Sequence, residues 1–152
     1  MRRSLRDADA RRAILSRLSA LSPNNTRRWG RMEPAQLLPH LANGLRMALG
    51  ELTYDDTELP ADSLRVALFR NLAIHVMPWP KGRVQAPPKT FSTASAGWDR
   101  DREILAALIE QFAAATPERF TKAHPAFGPM TMRDWDVLQY RHIDHHFRQF
   151  GA

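Results

Sequence analysis

The stretch that most constrains the fold is the last helical one, Met132 to Phe150. Trp135, Leu138, His142, His145, His146 and Gln149 fall on one face of it, because steps of three and four residues nearly close a helical turn. A stripe that opens as Trp and Leu thus continues as three histidines and a glutamine where a bundle interior should be. Buried imidazoles need partners. His142 and His146 stand at i and i+4, the spacing at which two imidazoles of one helix reach a single metal ion. His145, at i+3 from His142, could substitute or assist. One histidine on such a face is more often a hydrogen-bonded core residue, but three within five residues favour a metal site.

The chain has 152 residues and no cysteine. The length suits one domain spanning residues 1–152, and the missing thiols leave only nitrogen and oxygen ligands for any metal. They also exclude a cysteine nucleophile and a disulfide framework. Hydrophobic residues at 43% and charged residues at 25% match ordinary globular usage. The net charge of +6 raises the question of nucleic acid, since nine arginines lie between Arg2 and Arg31. No nucleic-acid motif or aromatic interleaving accompanies them, so they read as a solvated helix face and no nucleic-acid partner is expected. No apolar run approaches the roughly 20 residues of a membrane helix, and a soluble cytoplasmic protein without a membrane partner is the simplest expectation.

In chain order, Ile14, Leu18 and Leu21, helped by Ala10 and Ala13, predict a first amphipathic helix over about Leu5 to Leu21. Trp29, Gly30 and Met32 form an apolar anchor in a basic loop, suited to plugging the end of a bundle. A second helix is predicted from Pro34, favoured at a first helical position, to Leu49, with Gly50 as its stop. Its inner face carries Leu37, His40, Leu41, Gly44 and Met47, and Pro39 implies a kink or a late start. From Glu51 to Ala96 the periodicity is lost, apart from a short helix marked by Leu64, Leu68, Leu72 and Val76 and opened by Pro60 and Asp62. Four prolines then make Met77 to Ser95 an extended surface crossing, with His75 structural and the whole crossover a candidate substrate lid. A crossover this long lets the second and third bundle helices run parallel. The third helix spans about Asp99 to Thr116, with Leu105, Leu108, Ile109 and Phe112 inward and Pro117 at its end. His124 sits in a tight turn, and Thr131 with Asp134 forms a capping box for the last helix.

If the second and last helices are antiparallel, His40 lies about 10 Å from the start of one and the His142/His146 pair about 8 Å from the end of the other, so they meet at one level. Three protein ligands leave an open position, as in catalytic rather than structural sites. Gln36, Asn43 and Gln149 stand about a turn from the histidines, suited to orienting an imidazole or a water.

These histidines and the words around them resemble a known family. Trp29-Gly30-Arg31-Met32, Gln36 to His40, His124-Pro125-Ala126-Phe127-Gly128 and Arg141 to Gly151 resemble an uncharacterised branch of the DinB/YfiT-like superfamily, and the match spans nearly the whole chain. The resemblance implies an all-α, up-down-down-up four-helix bundle with a long crossover between helices two and three. It also implies a divalent metal ion such as zinc, nickel or manganese, held by His40, His142 and His146. Characterised relatives are metal-dependent transferases or isomerases that use low-molecular-weight thiols, or are classed as hydrolases, and several are dimers. The expected function is therefore a metal-dependent transferase or hydrolase acting on a small molecule of unknown identity, with a homodimer as its expected assembly. The competing expectation is a noncatalytic bundle whose histidines hydrogen-bond in a polar core.

Overall fold

A computed structural model describes residues 3–53, 63–82, 88–120 and 123–152. Among them are five α-helices and no strand, with one isolated bridge between His124 and Gly128. Helix α1 spans Ala8–Ala20, begins where the Asp7 carboxylate accepts from the Ala10 N–H, and buries Ala10, Ile14 and Leu18. Leu5 and Leu21 are buried just outside its ends, whereas Ala13, expected to help the core, is exposed. Helix α2 spans Pro34–Ala48 and continues through Pro39, whose missing N–H removes the bond that position 39 would otherwise make to the Ala35 carbonyl. Helix α3, Leu64–Asn71, runs directly into a π-helical turn, Leu72–Val76. Helices α4, Trp98–Ala114, and α5, Met132–Gln149, complete the set.

Paired contacts fix the helix directions. Arg6 meets Asp136 and Arg17 meets Asp144, so α1 and α5 run parallel. Arg6 meets Ala113 while Arg11 meets Glu110, so α1 and α4 are antiparallel. Arg28 and Gly30 lie against Gln149 whereas Gly44 lies against Gln139, which makes α2 and α5 antiparallel. Leu38 and Pro39 share a small cavity with Asp101 and Ile104, and Glu51 pairs with Gln111, so α2 and α4 run parallel. The order α1, α2, α4, α5 is therefore up-down-down-up. The core between them centres on Ile14, Leu37, Leu41, Leu45, Leu105, Ile109, Phe112, Trp135, Ile143 and Phe147.

Three expectations need correction. The short helix opens at Ser63, whose hydroxyl accepts from the Val66 N–H, and Pro60 and Asp62 lie outside the described residues. Its stripe of Leu64, Leu68, Leu72 and Val76 faces outward, and the segment enters the core only through Ile74. A four-residue spacing shows that side chains share a face but not which way it turns. The crossing from Met77 to Ser95 is likewise more than a surface path, because Trp79 and Phe91 pack inward on histidines. The arginine-rich start is also not simply solvated. Arg6 donates to the Ala113 and Ala115 carbonyls, Arg11 pairs with Glu110, and Arg17 pairs with Asp144 while donating to the Ala152 carbonyl. Among the described residues, no helix is long and apolar enough to cross a membrane.

Candidate metal centre

The local sequence aims both site helices. In α5 the Thr131 hydroxyl accepts from the Asp134 N–H while the Asp134 carboxylate accepts from the Thr131 N–H, fixing the first turn and hence the phase of every later side chain. About three and four turns on, His142 and His146 face α2. In α2 the Gln36 amide oxygen accepts from the Glu33 N–H, and His40 follows one turn later. Gly44 then lets the helices approach. A Cβ there would lie 3.1 Å from both Gln139 Oε1 and His142 Nδ1.

His40, His142 and His146 converge. Their candidate ligand atoms lie within 4.8 Å of one another, and the three ring pairs have centroids 4.8 to 5.0 Å apart. His40 Nε2 and His142 Nε2 face each other at 2.9 Å. His40 is buried, while His142 and His146 keep an edge toward solvent. Nitrogens about 2.0 to 2.1 Å from a tetrahedral ion stand about 3.3 to 3.4 Å apart, so the His40–His142 pair would open by about half an ångström and the wider pairs would draw together to admit one.

Burial sets the charge state of the cluster. It pushes His40 down to about 4, opposed by the Thr90 backbone, and His146 down to about 3, with His40 adding to the effect and the Gln149 hydrogen bond opposing it. His142 is held well below the usual range by burial and by His146, His40, His145 and His124. At neutral pH the three rings are neutral bases, the form in which imidazole binds a metal. None of the three is hydrogen-bonded to a carboxylate among the described residues. The donor set therefore fits a borderline divalent ion with nitrogen ligands.

The other residues singled out by spacing behave differently from one another. Gln149 Oε1 lies 2.7 Å from His146 Nδ1, and Gln149 Nε2 donates to the Trp29 carbonyl at 2.8 Å. That chain fixes the amide orientation, places the His146 proton on Nδ1 and leaves Nε2 as a lone-pair donor. Asn43 bonds to the crossover and to its own helix: its Oδ1 accepts from the Thr93 hydroxyl at 3.0 Å and from Arg46 at 3.4 Å, and its Nδ2 points to the Thr90 carbonyl at 3.5 Å. It thereby holds the segment that stacks Phe91 on His40, with centroids 4.9 Å apart. Gln36 is occupied by the helix start, yet it lines a cavity of about 250 Å³ beside His40 with Ala35, Phe91, Thr93, Ala94 and Ser95. His145 stands outside the trio, half-buried between Trp29 and Trp79 at 5.7 and 5.8 Å. His75 Nε2 lies 2.7 Å from Asp134 Oδ1, and His124 accepts from the Ala126 N–H within its own turn, consistent with structural roles for both.

Several contributors were not apparent in the sequence. Trp79 covers His142 and His145 from a proline-rich crossing, where no periodicity marks it. Gln139 is buried with its Oε1 unpartnered beside Gly44, and its one signal was a spacing of three from His142, mirroring that of Gln149 from His146. Trp29, in the anchor expected to plug the bundle end, supplies the carbonyl that orients Gln149.

A family model described as the DinB superfamily matches residues 6–150. No curated protein and no solved structure matches the chain.

Proposed function

The chain belongs to the DinB superfamily, and from that premise we propose that it is a metal-dependent enzyme of the transferase or hydrolase class in which His40, His142 and His146 hold one divalent ion. Zinc, nickel and manganese are the candidate ions. The observation that carries this reading is the convergence of three neutral imidazoles from two antiparallel helices on one point. When bound, the ion supplies a Lewis acid that makes a nucleophile of a water or a low-molecular-weight thiol near neutral pH.

The chain's own residues do the rest. Neutral donors leave the ion's charge undiminished, which favours an anionic fourth ligand. Gln149, tied to the Trp29 carbonyl, keeps His146 in one tautomer and one orientation. Phe91 and Trp79 limit water at the rings. The cavity beside His40 offers hydroxyl, amide and aromatic surface for the second reactant. Segment 91–95 belongs to the long crossover, so a lid function falls there.

Elemental analysis of untagged protein beside the His142→Ala/His146→Ala double variant tests the reading. Near-stoichiometric metal in the parent and little in the variant supports it and directs screening to thiol transfer and hydrolysis. One observation favours a noncatalytic bundle, namely that the 2.9 Å contact between His40 and His142 can satisfy both rings at Nε2 without an ion. A parent that stays metal-free after incubation with these ions, yet folds normally, decides for that alternative.

A further inference from the structure

Two glutamines of α5 stand three residues from a site histidine, Gln139 before His142 and Gln149 after His146. Residues three apart are neighbours on a helix surface. Gln149 is bonded at both ends of its amide, to His146 Nδ1 and to the Trp29 carbonyl. Gln139 has no such ties. It is 1% exposed, it packs against Gly44 of α2, and its Oε1 has no hydrogen-bond partner among the described residues. A buried acceptor left without a donor is destabilising, and native chains hold few of them. What shares its gap is His142. Gln139 Oε1 and His142 Nδ1 both lie 3.1 Å from the point that a Cβ on Gly44 would occupy.

The state of the His142 ring decides whether that oxygen can be satisfied. His142 Nε2 faces His40 Nε2 at 2.9 Å, so one of these two nitrogens carries a proton and donates to the other. When His142 is the donor, its Nδ1 is bare and offers the Gln139 oxygen nothing. Giving Nε2 to an ion reverses this, because a neutral imidazole that ligates through Nε2 carries its proton on Nδ1. That N–H is then a donor at the edge of the gap where the orphaned oxygen stands. The last torsion of a glutamine side chain is broad, so the amide can swing toward it at little cost.

We infer that Gln139 is the positioning residue of His142, and that its Oε1 accepts a hydrogen bond from His142 Nδ1 when Nε2 is committed to a metal ion. The inference rests on the three-histidine reading and adds a coupling to it. Gln149 holds His146 in the ligating tautomer with or without an ion, whereas Gln139 is satisfied only in the loaded protein. The unpartnered oxygen thus raises the free energy of the metal-free protein, and its pairing favours the loaded one. Gly44 belongs to the same arrangement, because a side chain there would fill the gap across which the bond forms.

Gln139→Leu in untagged full-length protein tests this through two readouts expected to part company. Zinc affinity, measured by competition with a chromophoric chelator, is expected to fall about 10-fold or more, as when other partners of metal-bound histidines are removed. The melting temperature of the metal-free protein is expected to hold or rise, because an unpartnered buried oxygen is exchanged for an apolar group. Gln139→Glu keeps an acceptor oxygen at the same reach and is expected to recover the zinc affinity that leucine loses. In the zinc-loaded parent, with histidine labelled at its ring nitrogens, the His142 Nδ1 proton is expected as a slowly exchanging magnetic resonance signal, a readout that needs no variant. Unchanged zinc affinity in Gln139→Leu, a metal-free melting temperature that falls together with the affinity, or a His142 Nδ1 proton that exchanges freely overturns the inference and leaves the three-histidine site standing. A parent that binds no zinc overturns both.

Discussion

Helices α2 and α3 both pack near α5, but they are held there by opposite means. Helix α2 buries ten of its fifteen residues, His40 and Asn43 among them, while α3 buries none of its eight. Helix α2 is fixed by interdigitated apolar side chains, and the histidine it carries inherits that rigidity. The α3 segment hangs on Ile74 and on polar ties from Arg70, His75 and Arg141. The lesson is a division of labour: ligand-quality geometry sits on elements that cannot move cheaply, and the covering Trp79 sits on one that can.

The contrast should break most completely at the α2–α5 seam. His142→Ala/His146→Ala is expected to lower metal affinity by at least about 100-fold, read by calorimetric titration, because two of three donors disappear. No α3 substitution should approach that effect. Acid comes next. Each buried ring has a folded pKa below its ordinary value of 6.5, so the unfolded chain binds protons first and stability falls with pH. For metal-free protein the contribution is complete above about pH 6.5 and disappears as pH drops through about 4 and then 3, which urea midpoints across that range would show. Full stability at pH 4 would mean that the rings are not buried as neutral bases.

Gly44→Ala is the next sharpest probe. Its methyl would meet Gln139 Oε1 and His142 Nδ1 at 3.1 Å, so a net loss of about 1 to 2 kcal/mol is expected after the gain in helix propensity. Weaker metal binding should accompany that loss, and a rise in stability would show that the seam is loose. Gln149→Leu removes the orienting hydrogen bond while keeping bulk, with an expected loss of about 10-fold in metal affinity and little change in melting temperature. The smallest effect belongs to the other region. Leu68→Ala should leave the stability of the single chain within about 0.5 kcal/mol, because an exposed side chain contributes little to the folded monomer.

Much of this organisation was legible in the chain. The boundaries of α2, α4 and α5 follow from proline and glycine punctuation and the Thr131/Asp134 capping box, all of them local effects. The length of the crossover allowed α2 and α4 to run parallel, because short connections force antiparallel neighbours and long ones do not, and the up-down-down-up order itself was implied by the family resemblance. At the site, the i, i+4 spacing placed His142 and His146 together, and the inner stripe of α2 placed His40 opposite them. Ala13 was misjudged because a side chain at the margin of an apolar stripe can fall on either side of the packing boundary. The outward turn of Leu64, Leu68 and Leu72 was missed because a four-residue spacing fixes which side chains share a face and not which way that face turns.

By itself the sequence determined which residues could meet: helical periodicity is a property of the backbone, so the phase of His142, His146 and Gln149 along α5 needs no tertiary information. Only the tertiary structure decided how they meet. The chain from His146 through Gln149 to the Trp29 carbonyl, the room given by Gly44, and the cover from Phe91 and Trp79 join residues far apart in the chain. Such contacts depend on how whole elements pack, and no local pattern encodes them.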